Sequence, residues 1–394
     1  MSTFSLIPYR PCSALRALRS FSHDPVDIYD AAIVGAGPAG LTAISNLLDK
    51  GSSKVSWIDP LFQAGRVGEM YREVPSNTRT KLFLNYVTVS PTLSNLVKHA
   101  STPNAYTVME SLDPEKGCQL SYAADLIVFL TQELMKQRQD SIHPFKGLVR
   151  MMESENNQPW RLDVDPKASN DSPISLRAHK VVLATGSAPV HPPSSPIPIL
   201  DLDIALSPSR LRHYLAQLEP DTTLAVIGSS HSAILAIKNI TDISTRHWIL
   251  HFYRSSLKFA EQKDGWILYD NTGLKGLAAD WAREVYPTLT QIKRVRLSGK
   301  PEEEKRVYEQ ELKSCTRVIY AIGYSHNPYP RVMVDGLQSS LDWNPINGNF
   351  GIPHLYGCGI AFPEKVKDPE GNVESAVGFW KFMRFVKRVS EDWK

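Results

Sequence analysis

The sequence predicts an α/β protein in which one strand–turn–helix unit is interrupted by a second, smaller one. Three observations carry this. Residues 28–40 read IYDAAIVGAGPAG, a buried-type strand running into the spacing G-x-G-x-x-G. Residues 223–233 read TLAVIGSSHSA, the same pattern with Ser230 at the middle glycine. Around both, apolar strand-type runs alternate with helix-type runs, the order that builds a parallel sheet.

Each part of the first stretch has a physical reason. The apolar run 28–34 suits a strand buried on both faces. Gly35 lets the chain turn at the strand end, Gly37 lets a pyrophosphate approach the backbone, and Gly40 lets the next helix sit close to the sheet. Residues 41–48 continue as an apolar helix whose N-terminal N–H groups would face the phosphates. Residues 55–59 form a second strand ending in Asp59, 19 residues beyond Gly40, where an acid can bind a ribose hydroxyl pair. Glycines alone are a weak signal; glycines with strand, helix, strand and terminal acid predict a dinucleotide site.

Composition narrows the class. With 394 residues there is room for two or three domains, and the 42% hydrophobic and 22% charged fractions are ordinary for a globular chain. A net charge of +3 gives no large attraction to nucleic acid, and no apolar run is long enough to span a membrane. Cys12, Cys118, Cys315 and Cys358 include no C-x-x-C pair and no neighbouring histidine cluster, which argues against a metal site and a sequence-local redox disulfide. Residues 1–23 carry Arg10, Arg16 and Arg19, several serines and no acid before Asp24, and Arg19-Ser20-Phe21-Ser22 resembles a processing site. That composition predicts a mitochondrial transit peptide directing the chain to the matrix; without import the protein would be cytoplasmic. The fold is expected to begin near Val26.

Further along, residues 65–71 read as irregular, 74–80 as an extended loop, and 81–89 as either a strand or a short helix. Asn77, Thr78 and Asn85 in this region suit contact with a ring system or simple turn formation. Residues 121–139 are helical, with Leu126, Phe129, Leu130 and Leu134 on one face. Strands follow at 145–151, 160–164 and 175–183, the last ending in Ala184-Thr185-Gly186, and the proline-rich 189–198 reads as a rigid linker.

The second unit begins with the strand 223–227 and the turn Gly228-Ser229-Ser230-His231. A serine at the middle position still allows close phosphate approach. The strand 248–253 ends not in an acid but in Arg254, which suits a 2′-phosphate and so NADPH, with a surface arginine as the alternative. His231 is placed either to touch a nicotinamide or to cap a helix. Residues 276–284 read as a helix, and the charged run 300–313 as a solvated connector. The strand 316–321 is followed by Gly323-Tyr324, and 354–360 contain Gly359-Ile360. Residues 373–389 read as one amphipathic helix that covers a core, with a membrane surface as the less favoured use.

Together these motifs resemble the flavoproteins with two dinucleotide-binding domains. Gly35-Ala36-Gly37-Pro38-Ala39-Gly40 with Asp59 is similar to that family's FAD fingerprint. Ala184-Thr185-Gly186 is similar to the strand end that crosses between domains, and 228–233 to the NADPH turn. Ala321-Ile322-Gly323-Tyr324, soon followed by Pro328, resembles a segment of the flavin monooxygenases, including the N-hydroxylating ones. The resemblance implies an FAD-binding Rossmann-like domain at 26–204 and 316–394, interrupted at 205–315 by a smaller NAD(P)H-binding Rossmann-like domain. It implies FAD and NADPH as cofactors and a small-molecule substrate oxygenated through a flavin hydroperoxide. Three departures stand out: no C-x-x-C follows the fingerprint, the usual Gly-Asp near the C-terminus reads Gly359-Ile360, and the monooxygenases' long glycine motif between the two units is absent. An NAD(P)H dehydrogenase feeding a quinone or carrier protein, and a non-enzymatic flavin-bound redox sensor, are the alternatives. No catalytic centre is legible beyond His231 and Asn85 as candidates, and the oligomeric state is not encoded in any pattern.

Overall fold

The computed structural model describes residues 27–167 and 172–393. The region read as a leader, 1–23, lies outside the described residues.

The first unit begins with β1 (Ile28–Val34), in which Ala31, Ala32 and Ile33 are fully buried. α1 (Pro38–Asp49) starts three residues before the apolar run 41–48, since a proline in the first turn gives up an N–H that has no intrahelical partner anyway. β2 (Val55–Ile58) pairs in parallel with β1. Residues 65–71, read as irregular, contain the short helix α2 (Gly65–Glu69). Residues 74–80, read as a loop, contain β3 (Pro75–Arg79). Residues 81–89 resolve as helix: α3 (Thr80–Thr88) turns Phe83, Tyr86 and Val87 inward.

Two helices that the sequence pattern did not announce follow, α4 (Pro91–His99) and α5 (Ala105–Glu110). Both are set by local capping, Ser90 Oγ accepting from Leu93 N at 3.3 Å and Asn104 closing a capping box with Thr107. β4 (Gly117–Gln119) pairs with β3, and α6 (Leu120–Gln137) buries Leu126, Ile127, Leu130 and Leu134. β5 (Ile142–Phe145) then pairs with β2, and β6 (Gly147–Ser154), β7 (Trp160–Pro166) and β8 (Ile174–Leu183) form an antiparallel meander.

β9 (Ser187–Pro189) carries the chain out of this unit. α7 (Leu202–Ala205) and α8 (Pro208–Leu215) precede β10 (Thr223–Ile227), α9 (His231–Ile243) and β11 (Trp248–Tyr253). A small hairpin, β12 (Glu261–Gln262) with β13 (Ile267–Leu268), leads to α10 (Gly276–Glu284) and β14 (Ile292–Arg296). The run read as a solvated connector is instead a helix, α11 (Pro301–Glu311), with Glu302, Glu303 and Glu304 in its first turn, where the helix dipole favours acids.

β15 (Arg317–Tyr320) corrects a boundary. Instead of resuming the first unit it pairs in parallel with β10 and completes the small sheet, so the inserted unit runs past residue 316; it also starts before 205, since Leu200 and Leu202 lie in the core shared by β10 and α9. The return crossing is β16 (Tyr324–His326), paired antiparallel with β9. β17 (Arg331–Val334), β18 (Leu337–Gln338) and β19 (Leu355–Gly357) rejoin the first sheet. β20 (Glu364–Lys367) and β21 (Val373–Ala376) form a hairpin, and α12 (Phe379–Val389) follows. The helix read over 373–389 therefore begins only after Gly378, whose φ of 140° no L-residue adopts comfortably.

The parallel part of the large sheet has the order β5-β2-β1-β8-β19, and the small sheet β14-β11-β10-β15. In both, the strand order reverses beside the first strand, which is where a crevice opens at the carboxyl ends of the strands. One face of the large sheet is covered by α1, α6 and α12, the other by a core drawn from the meander and β19. α12 buries Phe379, Phe382, Met383, Phe385, Val386 and Val389, so it covers a core.

Candidate functional site

The two turns have the same construction. At the first, Gly35 takes φ 111°, and a Cβ there would lie 2.3 Å from the carbonyl oxygen of Ala184 at the end of β8. At the second, Gly228 takes φ 128°, and a Cβ would lie 2.2 Å from the carbonyl oxygen of Ala321 at the end of β15. Each glycine carbonyl is then held by a ring N–H from the second strand of its unit. Trp57 Nε1 donates to Gly35 O at 2.9 Å, and His251 Nε2 lies 2.6 Å from Gly228 O.

In the first turn Gly40 is required by packing, since a Cβ would meet Gly35 O at 1.9 Å. Gly37 is different. A Cβ there meets nothing nearer than Ala64 O at 3.8 Å and Gly65 Cα at 3.9 Å, both ordinary contacts. Pro38 and Ala39 form the first turn of α1, and Gly359 packs against Ala39, where its own Cβ would lie 2.4 Å from that of Ala39. Asp59 stands at the end of β2, but its carboxylate is engaged by the backbone. Oδ2 accepts from Ala36 N at 2.7 Å, and Oδ1 accepts from Leu61 N at 2.8 Å and Phe62 N at 2.7 Å. The residue read as a ribose ligand therefore fixes the turn itself.

The second turn places Ser229 and Ser230 ahead of α9, with Ser230 as its N-cap and His231 as its first residue. His231 Nδ1 is buried without a hydrogen-bond partner, and burial, with Lys275 nearby as a lesser cause, pushes its pKa down to about 4. His251 is held neutral in the same way: burial lowers it to about 4, and its Nδ1 lies 2.6 Å from Tyr286 OH. Arg254 does not wait unpaired at the end of β11. Its Nε and Nη2 donate to Glu304 Oε1 and Oε2 at 2.9 and 2.7 Å. Glu304 is buried and also accepts from Gly299 N, and the arginine holds its carboxyl below the ordinary carboxylate range.

The two strand ends meet each other. Gly186 and Gly323 have φ of 73° and 113°. Asn327 Nδ2 donates to Thr185 O at 2.8 Å and its N to Gly186 O at 2.9 Å, while Val190 N donates to Gly323 O at 3.0 Å. Thr185 Oγ1 is buried without a partner, as His231 Nδ1 is. Asn85, read as a ring contact or a turn former, is exposed on α3, and the next residue, Tyr86, faces the turn, with its OH 3.0 Å from Pro38 O.

Sequence reasoning missed the side chains between the turns. Arg66, beside Gly65, forms an ion pair with Asp203 on α7. Tyr71 OH donates to Asp203 Oδ1 at 2.7 Å and lies 3.2 Å from Tyr324 OH, and the Tyr324 ring packs against the core that holds α9. On another side of the junction, Glu374 of β21 accepts from Asn271 N at 2.9 Å and from Thr272 Oγ1, and Lys381 of α12 pairs with Asp270 at 2.6 Å. A groove of about 860 Å³ runs along α12 past Trp266, Asp270 and Lys381, and no residue of either turn lines it. Among the described residues, no group of three or more His, Cys, Asp or Glu could hold a metal ion, and no helix is long and apolar enough to cross a membrane.

Two parallel α/β units, one inserted into the other and each with a glycine turn at its switch point, define an oxidoreductase of the two-nucleotide type. The chain belongs to the pyridine nucleotide-disulphide oxidoreductase family, whose sequence profile matches residues 29–335. It is 41% identical over 385 residues to the monooxygenase AgnR1 of Paecilomyces divaricatus, covering 92% of this chain and 97% of that one. Its fold is similar to that of the FAD-bound cadaverine monooxygenase DfoA of Erwinia amylovora, with a TM-score of 0.58 at 14% identity over 84% of this chain and 88% of the other. It is also similar to that of the ornithine hydroxylase PvdA of Pseudomonas aeruginosa, with a TM-score of 0.57 at 11% identity over 93% and 99% of the two chains.

Proposed function

We propose that the protein is an FAD-dependent, NADPH-using monooxygenase that oxygenates a small molecule. The observation that carries this is the matched pair of turns, Gly35 seated on Ala184 and Gly228 on Ala321, in a chain without a C-x-x-C pair to take up electrons as thiols. The relationship to AgnR1 supports oxygenation, and the FAD of DfoA supports the flavin.

The residues present fit the cofactor. Protein packing does not demand a glycine at 37, whereas a diphosphate lying on the backbone does. Thr185 Oγ1, orphaned at the strand end that seats Gly35, is a hydrogen-bonding group in want of a partner. Gly35, Gly37, Pro38, Ala39, Gly40, Thr185, Gly186 and Gly359 would hold FAD, and Asp59 would keep the turn in shape. Gly228, Ser229, Ser230, His231 and Gly323 would receive NADPH, and the outer edge of Arg254 would meet its 2′-phosphate. Bound FAD supplies a carrier that accepts a hydride from the nicotinamide and passes electrons to oxygen. Neutral His231 offers Nδ1 as a hydrogen-bonding atom at the second turn without adding charge.

The test is the visible spectrum of purified protein and its response to NADPH without oxygen. A yellow protein that bleaches with NADPH, and recovers its colour far faster with oxygen than with a quinone, is expected. A colourless protein that takes up no added FAD rejects the reading. Equally fast anaerobic turnover with quinone replaces it with a dehydrogenase.

For the leader we propose mitochondrial import, supported by the acid-free, arginine-bearing composition of residues 1–23. A fluorescent protein fused to residues 1–23 that stayed in the cytoplasm would reject it.

A further inference from the structure

We infer that Tyr71 and Asp203 are positioning residues that couple the two nucleotide turns, so that filling one tightens the other. The inference rests on the FAD and NADPH reading above. Its basis is a continuous chain of contacts from one turn to the other. Gly65 lies over Gly37, its Cβ position 3.5 Å from Gly37 Cα, so a diphosphate at Gly37 bears on the start of α2. Arg66, the next residue, is ion-paired with Asp203, which is only 7% exposed. Asp203 accepts from Tyr71 OH at 2.7 Å; Tyr71 OH lies 3.2 Å from Tyr324 OH; and Tyr324 packs against the core of the small unit, which includes Ala233 in the first turn of α9. The two tyrosine rings meet edge to face, with centroids 6.4 Å apart.

The members of this chain come from different bodies. Arg66 and Tyr71 belong to the large unit; Asp203 and Ala233 belong to the small one, since Leu202 and Ala205 of α7 lie in the same core as α9; and Tyr324 belongs to the ribbon where the chain crosses between them. Rotation of the small unit about that ribbon would pull Asp203 from both Arg66 and Tyr71, leaving a buried carboxylate without partners, which is strongly unfavourable. A ligand that fixes α2 over Gly37 therefore holds Asp203, Tyr324 and the start of α9 in the arrangement that receives the second nucleotide. By linkage, the second nucleotide must hold the first by the same factor.

The experiment measures affinity for 2′-phospho-ADP-ribose, which lacks the nicotinamide and cannot stack on the flavin, in FAD-loaded and FAD-free protein. Wild type is expected to bind it about five- to tenfold more tightly when FAD-loaded. Tyr71→Phe keeps the ring and removes the hydroxyl, and should bring the ratio below about twofold; it should also lower the melting temperature somewhat, since a donor to the buried Asp203 carboxylate is lost. Asp203→Asn should do the same and Asp203→Glu should restore part of the ratio. The reciprocal measurement, FAD affinity with and without 2′-phospho-ADP-ribose, should give the same factor. A ratio near one in wild type, or one unchanged in Tyr71→Phe, overturns the coupling while leaving both sites intact. Failure of wild type to bind either ligand overturns the coupling by removing the sites themselves.

Discussion

Trp57 and His251 occupy the same place in the two units, each reaching from the second strand to the carbonyl of the first glycine, at 2.9 and 2.6 Å. A tryptophan N–H is always a donor. An imidazole can fill that role at one nitrogen while accepting from Tyr286 at the other only if it is neutral. The second turn is therefore sensitive to acid in a way that the first is not.

His251 and His231 both have pKa values pushed down to about 4 from 6.5. The unfolded chain takes up these protons below about 6.5, while the folded chain refuses them until about 4. Stability therefore falls as pH drops through that window, and above it these groups contribute no pH dependence. The slope approaches about 1.4 kcal/mol per pH unit for each histidine. Thermal melts between pH 7.5 and 4.5 check this, and His251→Gln should remove one histidine's share of the slope. A wild-type melting temperature that does not fall over this range would contradict it.

Gly37 and Gly40 should separate ligand from packing. Gly37→Ala is expected to fold with the melting temperature of unliganded wild type and to bind FAD at least about tenfold more weakly, since close backbone approach is what the position offers. Gly40→Ala would put a methyl 1.9 Å from Gly35 O and should give little soluble protein. If Gly37→Ala retained FAD as wild type does, the phosphate would lie elsewhere.

Arg254 should choose between the two pyridine nucleotides. Its inner edge is taken by Glu304, so only the outer edge is free for a phosphate. Arg254→Gln is expected to raise the KM for NADPH about tenfold, the loss of one charge-assisted hydrogen bond, and to leave that for NADH unchanged. An equal effect on both would make the arginine a structural partner of Glu304 and nothing more.

Glu374 ties the loop 270–275 of the small unit to the large one. Its carboxylate is buried and accepts from Asn271 and Thr272. Glu374→Gln should loosen the loop by about 1–3 kcal/mol, seen as faster limited proteolysis within residues 258–275. Unchanged cleavage would show that the hairpin holds the loop without it.

What could be read from the sequence was what is local in it. A strand, a glycine turn and a helix lie within some twenty residues of one another, so both units and their order were legible. Asp59 was legible as the end of β2, but its occupation by the amides of Ala36, Leu61 and Phe62 depends on a loop conformation with Phe62 and Ala64 at positive φ, which has no pattern. Arg254 looked free because its partner lies fifty residues away in a run of acids that resembles solvated surface. Asp203 meets Arg66 across 137 positions and Tyr71 across 132, and nothing in the spacing of single polar residues announces such pairs. β15 resembled a return to the first unit because any buried parallel strand looks alike until its neighbour is known.

The paired crossings β9 and β16 mean that the small sheet is made from one unbroken stretch of chain, while the large one needs β19 and α12 from beyond the insertion. During synthesis the inserted unit can finish folding while its host still lacks the strand β19 and a covering helix. The host's exposed sheet edge beside β8 must wait for β19 and α12 to leave the ribosome, and that interval is when this protein would most need a chaperone.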